Sequence, residues 1–439
     1  MYSPKLGQGA SKAVTPREGC LLDRFQSLEK MQNARLGLDD ARGSCHRLIM
    51  RILSDLFASR RALAGFVVVG FGWAAFSAQM PVIKAQVGVG DGAWGTLVLI
   101  GSTGALMAMW LAPLFYRLFG RWAMIVGAAC MVAGFVLAGA AHTPMAIGIA
   151  LFFAAGGSGI ADVLANAEVS EAEAETGRSL MNLNHGLFSV AYAVAAIGVG
   201  AAREGGFGPV AVFAAMGVAV AVLFPWMVLP MRTQTEDEAQ DATGMPRALV
   251  WVGGLVVLAA FLGEAASEGW SALHVERTLG GGPAEGAMGP ALLAVGMAVG
   301  RLGGHVFGAG WPPLRVMMLA SCIAGIGLAL AGMAPGLSTA YVGFLLGGLG
   351  VSVVGPLALG LVGQAVRPKY RLAAISQAAA LGYAAFFLGP VIMGFVAEGF
   401  GLRVSFYVIA GIMFAVAAIL LPAWNRMLTT RTTSMSSSG

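Results

Sequence analysis

The sequence predicts an all-α membrane protein of twelve transmembrane helices, arranged as two parallel-related six-helix halves. Three observations predict it. Of 439 residues, 57% are hydrophobic and only 11% charged, where a soluble domain carries about 25% charged residues. Apolar stretches of the length a bilayer-spanning helix needs, about 20 residues, recur twelve times. A polar break divides them into six and six.

Residues 1–60 read as a polar N-terminal tail, in which Leu22, Phe25, Leu28 and Met31 share one face of a short surface helix or belong to a disordered segment. The first 20 residues lack the continuous apolar core of a cleavable signal peptide. The N-terminal half, 61–230, carries spans near 62–84, 93–116, 122–141, 144–167, 181–202 and 209–230. The break "MRTQTEDEAQDATG" is acidic and without apolar periodicity, and the linker is placed at 231–246. The C-terminal half, 247–425, carries spans near 247–268, 284–308, 314–334, 338–363, 372–397 and 402–424, leaving 426–439 as a C-terminal tail.

Loop charge sets the orientation, because cytoplasmic loops collect Lys and Arg. With the N-terminus inside, the inner loops hold Arg117, Arg121, Arg178, Arg232, Arg247, Arg315, Arg367, Lys369 and Arg371. The outer loops hold only Lys84, Arg203, Arg277 and Arg403. Both termini and the linker are therefore expected in the cytoplasm. The same rule accounts for the net charge of +5 without a nucleic-acid partner.

The halves echo each other. "GDGAWGTLVLIG" follows the first span and "AEGAMGPALLAVG" the seventh, with Gly95 and Gly289 offset by 194 positions. Arg178 and Asn184 at the fifth span match Arg371 and Gln377 at the eleventh, offset by 193. Offsets this similar at distant places indicate a duplicated unit, with a binding site expected at the midplane between the repeats.

Several motifs have simpler readings than their patterns imply. "GDGAWG" matches G-x-G-x-x-G, but a dinucleotide site needs a strand before it and a helix after it. Here it joins two membrane spans and serves a tight outer turn. Gly296, Gly300 and Gly304 form a smooth ridge for helix packing. Cys20, Cys45, Cys130 and Cys322 have no metal or disulfide spacing. No metal site, cofactor or enzyme motif is expected.

Ionisable residues inside a span cost about 2.5–3.5 kcal/mol on insertion scales and face a cavity or a partner. Asp162 and Asn166 lie one turn apart on the fourth span, and Asn184 and His185 open the fifth. At 1.5 Å per residue, Asp162 falls in the inner half, near His185. Glu264 and Glu268 fall toward the outer end of the seventh span, the second of them as a solvated end or a functional group. Each carboxylate is either a proton-coupling group or a structural hydrogen-bonding group. Arg301 reads as a snorkelling or gating residue, and Arg178 and Arg371 as gating charges. "EVSEAEAETGR" reads as a solvated inner loop. Trp73, Gln79, Trp270, Gln377 and Tyr383, with Asn166 and Asn184, place rings and amides where a polar solute can bind, or they merely pack.

"ADVLANAEVSEAEAETGRSLMNLNHGLFS", "GWAAFSAQMPVIKAQVGV", "GEAASEGWSAL" and "GYAAFFLGPVIMGFVAEGFGLR" together resemble the MosC-like subfamily of major facilitator transporters, over about residues 62–424. The resemblance implies the major facilitator fold and a secondary transporter of the inner membrane. It also implies a small sugar- or inositol-like substrate, and Asp162, Asn166, His185, Glu264 and Trp270 as the family's polar positions. One departure stands out. The superfamily's inner loop reads like G-x-x-x-D-R-x-G-R, whereas this chain has "PLFYRLFGR", with Arg117 in place of the aspartate. Other charges must then hold the gate.

The expectation is a monomeric, multi-pass transporter of the cytoplasmic membrane, moving a small molecule by alternating access and coupled to protons. Asp162 would load and release the proton, since burial changes how readily a carboxyl group holds one. Efflux of an amphipathic drug, or a non-transporting sensor, are the alternatives.

Overall fold

The computed structural model describes residues 50–230, 245–307, 310–367 and 370–436. The linker expected at 231–246 falls mostly outside them, as does the tail helix expected around Leu22–Met31. Residues before Ser59 form a separate unit, helical over 50–58. Among the described residues there is no β-strand.

From Ser59 onward the chain builds the helices α1 (Arg60–Val87), α2 (Asp91–Phe119), α3 (Ala123–Ala140), α4 (Pro144–Thr176), α5 (Met181–Glu204) and α6 (Pro209–Leu223). It then builds α7 (Arg247–Leu273), α8 (Pro283–Phe307), α9 (Pro313–Met333) and α10 (Leu337–Gln364). α11 comes in two pieces, Arg371–Tyr383 and Ala385–Phe400. α12 (Leu402–Ala415) continues through a wide turn, Val416–Leu420, into Leu421–Ser436. Among the described residues, eleven continuous segments are long and apolar enough to cross a membrane. One of them, Asp91–Ala140, contains both α2 and α3 around the turn Gly120–Trp122, which gives the twelve crossings.

α4 begins where Thr143 accepts a hydrogen bond from the Ala146 N–H and Pro144 takes the first helical position, where its missing donor costs nothing. It ends at Gly177, whose φ of 67° suits a residue without a Cβ. Between them lie 33 residues, a rise of about 50 Å against about 30 Å of hydrocarbon. The segment "EVSEAEAET" is therefore a helical extension and not the loop the sequence reading assigned. Its Glu173 accepts from the backbone N–H groups of Leu180 and Met181, at 2.6 and 2.8 Å, and so caps α5.

The duplication is visible in the packing. In the first half α4 packs on α2 and α3; in the second α10 packs on α8 and α9. Between halves α2 packs on α11, and its counterpart α8 packs on α5. The glycine ridge of α8 holds in part: a Cβ on Gly296 or Gly300 would strike α10, whereas Gly304 has only distant neighbours. The glycines of "GDGAWG" do more than turn the chain. Gly95 faces the backbone of Pro390 and Gly394 so closely that a Cβ there would strike Pro390 O.

α11 breaks at Ala384 and holds Pro390 inside its second piece. Proline has no N–H, so the carbonyl four residues back loses its helical donor. That carbonyl, Phe386 O, accepts instead from Ser102 Oγ of α2 at 3.0 Å. The contact is another bond between the halves.

Candidate functional site at the interface between the halves

Arg301 sits at the centre. Its side chain is 8% exposed and donates through Nη2 to both Glu264 oxygens, at 2.8 and 2.9 Å. Through Nη1 it donates to Ser189 Oγ at 2.8 Å. Glu264 and Arg301 belong to the second half and Ser189 to the first, so one guanidinium joins them. Arg301 is thus a buried ion-pair partner and not a snorkelling residue. Glu264 is also not at a helix end: α7 runs on through the wide turn His274–Thr278, which leaves Glu264 near the middle of a 32-residue segment.

Glu268, one turn further, is no solvated end. Its Oε1 is buried and has no hydrogen-bond partner among the described residues. It and Glu264 both lie within electrostatic reach of Tyr192, whose hydroxyl donates to Ser77 Oγ at 2.7 Å. Gln79 is fully buried, with neither amide atom partnered among the described residues. A buried amide without partners is uncommon and calls for a water or a ligand.

Asp162 and Asn166 are brought together as expected: Asn166 Nδ2 donates to Asp162 O at 2.9 Å and to Oδ2 at 3.2 Å. Asp162 also lies within electrostatic reach of Tyr383 across the interface. Tyr383 in turn contacts Phe261 and Phe386. His185 does not join that pair; its ring lies 4.6 Å from that of Phe66 and within electrostatic reach of Arg301.

The remaining predicted residues divide. Trp73 donates to Ser158 Oγ at 2.9 Å and packs edge-on against Phe76 and Phe135. Trp270 is buried. Asn184 is buried and donates to Leu180 O of its own helix, a local bond. Gln377 is exposed. Arg371 donates to Gly363 O near the end of α10, and Arg178 stands half-buried just before α5. Neither joins the Arg301 cluster. Among the described residues no His, Cys, Asp and Glu group could hold a metal.

Sequence reasoning missed a second constellation, at the end of the bundle where α2 starts. Asp91 binds Arg277 across the halves, with bonds of 2.8 and 2.6 Å, and Lys84 at 2.9 Å. Arg203 binds Glu276 at 2.6 and 3.0 Å. Glu398 accepts from the Gly92 N–H at 2.5 Å, and Glu204 accepts from the Ala284 N–H at 3.3 Å. Each half therefore ends its fifth helix on a glutamate that caps a helix of the other half, where free N–H groups and the helix dipole favour a carboxylate. Glu204 and Glu398 lie 194 positions apart, the repeat offset itself. The signal was in the sequence, but the arginines read as loop charges.

Twelve crossing helices in two related halves, with buried charges between them, define a membrane transporter of duplicated architecture. The chain belongs to the major facilitator superfamily. It is 31% identical over 356 residues to an uncharacterised MFS-type transporter of Yersinia pestis, covering 80% of this chain and 92% of that one. It is 26% identical over 361 residues to the membrane protein MosC of Rhizobium meliloti, covering 81% and 88%, in line with the resemblance read from its motifs. No family model matches the chain. Among solved structures it resembles a D-xylose–proton symporter at a TM-score of 0.67 and 14% identity, covering 83% of this chain and 97% of that one. It also resembles an inward-facing, occupied bacterial homologue of the human lysosomal transporter Spinster, at 0.63 and 17%, covering 83% and 96%.

Proposed function

We propose that the chain is a proton-coupled secondary transporter of the cytoplasmic membrane, with both termini in the cytoplasm, moving a small polar solute by alternating access. The observation that carries this reading is the buried Glu264–Arg301–Ser189 bridge between the halves. Buried charge is costly unless paired, and here the pair lies on the surface along which the halves must move. A proton that neutralises Glu264 or Glu268 weakens the hold on Arg301, and so biases one arrangement of the halves over the other.

Asp162 serves as the proton-loading group nearer the Arg178 end, with Asn166 and Tyr383 beside it to contact the solute. Asp162 and Glu268 have no Lys or Arg in an ion pair with them among the described residues, which favours a solute carrying hydroxyl or amine donors. A sugar- or inositol-like compound fits, as does the family likeness to MosC. The paired charges at the Asp91 end hold that end shut. α2 and α11 meet there down to Ser102 and Phe386, whereas α4 packs little on α10 or α11 among the described residues. The chain is therefore read as closed at its outer end and reached from the cytoplasm.

The test is transport by Asp162→Asn in proteoliposomes, with inositols, amino sugars and cationic amphiphiles as candidate solutes. Accumulation driven by a pH gradient should vanish while exchange of labelled for unlabelled solute persists, because exchange moves no net proton. Accumulation against a gradient by the mutant would remove Asp162 from the coupling mechanism. Preference for cationic amphiphiles over polyols would favour drug efflux.

A further inference from the structure

We infer that this protein carries a binding site for the phosphate headgroup of an anionic phospholipid, away from the path between the halves. A cavity of about 510 Å³ opens where α1 begins, α2 turns into α3 and α6 ends, lined by Arg60, Arg61, Arg121, Trp226, Val228 and Pro230 among others. Its walls are fastened: Leu229 N–H donates to Arg121 O at 2.9 Å, and the Tyr116 hydroxyl donates to Pro230 O at 2.7 Å. Arg61 and Arg121 have no carboxylate partner among the described residues.

Arg61 and Arg121, lining one cavity with Arg60, make a site for an oxyanion, since arginine's planar fork matches phosphate oxygens two at a time. The surroundings select a lipid over a free ion. All of the lining residues lie where membrane-length helices begin, turn or end, as residues at the headgroup level do. Trp122 and Trp226 stand there 53% and 51% exposed, as interfacial indoles do. The Arg121 guanidinium rests 5.6 Å from the Trp122 ring. From Trp226, Val222 and Val218 follow at four-residue spacing along α6, 63% and 68% exposed. That apolar stripe leads from the cavity into the hydrocarbon and gives an acyl chain its track, while the arginines hold the phosphate.

The experiment is native mass spectrometry of the full-length protein in detergent, titrated with phosphatidylglycerol, phosphatidylcholine or inorganic phosphate. The wild type should bind phosphatidylglycerol at least fivefold more tightly than phosphatidylcholine. Arg61→Gln/Arg121→Gln should abolish that preference, Arg61→Lys/Arg121→Lys should keep part of it, and Arg315→Gln should leave it unchanged. If the double variant aggregates, Arg121→Gln alone, at an exposed residue, should still lower the preference at least twofold. Equal binding of the two lipids, or an unchanged preference in the glutamine variants, would overturn the site. Inorganic phosphate competing with phosphatidylglycerol at equal concentration would overturn the lipid as its occupant.

Discussion

Arg301 has an exacting position. It is buried near the C-terminal end of α8 and shared between Glu264 of its own half and Ser189 of the other. Removing one member of such a pair strands the other charge, at a cost of about 3–5 kcal/mol, whereas replacing both is far milder. Glu264→Gln and Arg301→Gln should each lower the thermal midpoint of the purified protein strongly, and the double variant should recover much of the loss. Equal midpoints for single and double variants would mean that the pair is not formed. Asn184→Ala, by contrast, removes only a bond to Leu180 of the same helix and should cost about 1 kcal/mol, with transport retained. At this scale the sequence was partly legible. Asp162 and Asn166 meet because four-residue spacing alone puts them on one face. Glu264 and Arg301 were both singled out, yet not as partners, because 37 positions on two different helices separate them and leave no local pattern.

At the scale of elements, the halves are held by helix pairs whose backbones nearly touch. α2 meets α11 through Gly95 and Gly394, and Ser102 answers the carbonyl that Pro390 leaves without a donor. Ser102→Ala should therefore destabilise the protein by about 0.5–1.5 kcal/mol, the net worth of one hydrogen bond, read as a lowered thermal midpoint. Gly95→Leu should go further and keep α2 from closing on α11, so that transport is lost while membrane insertion is normal; transport at the wild-type rate would mean that the close approach is dispensable. The spans themselves were legible, since each apolar run maps to one helix. The extension of α4 was not, because "EVSEAEAET" is too polar for a span and lacks the apolar stripe that marks a surface helix. Its helix is an extension of the span before it, ended by Gly177.

For the whole molecule, the duplicated sequence gives duplicated contacts, down to the two glutamates 194 positions apart that cap the opposite half. The departure in the loop "PLFYRLFGR" raised the expectation of other gating charges; the structure has a set of ion pairs between the halves at the Asp91 end. Their identity was hidden because ion pairs between residues 186 apart, such as Asp91 and Arg277, leave no local pattern. A reporter fused at Gly244 should be cytoplasmic if loop charge sets the orientation; a periplasmic signal would invert every assignment of inside and outside made above. The most direct test of alternating access is the accessibility of a cysteine at Asn166, in a background without the native cysteines, to a membrane-impermeant thiol reagent applied to vesicles of known orientation. The account predicts labelling from the cytoplasmic face in the parent. It predicts a shift toward the opposite face when Glu204→Gln and Glu398→Gln loosen the outer end. Equal labelling from both faces in the parent, or no shift in the double variant, would contradict it.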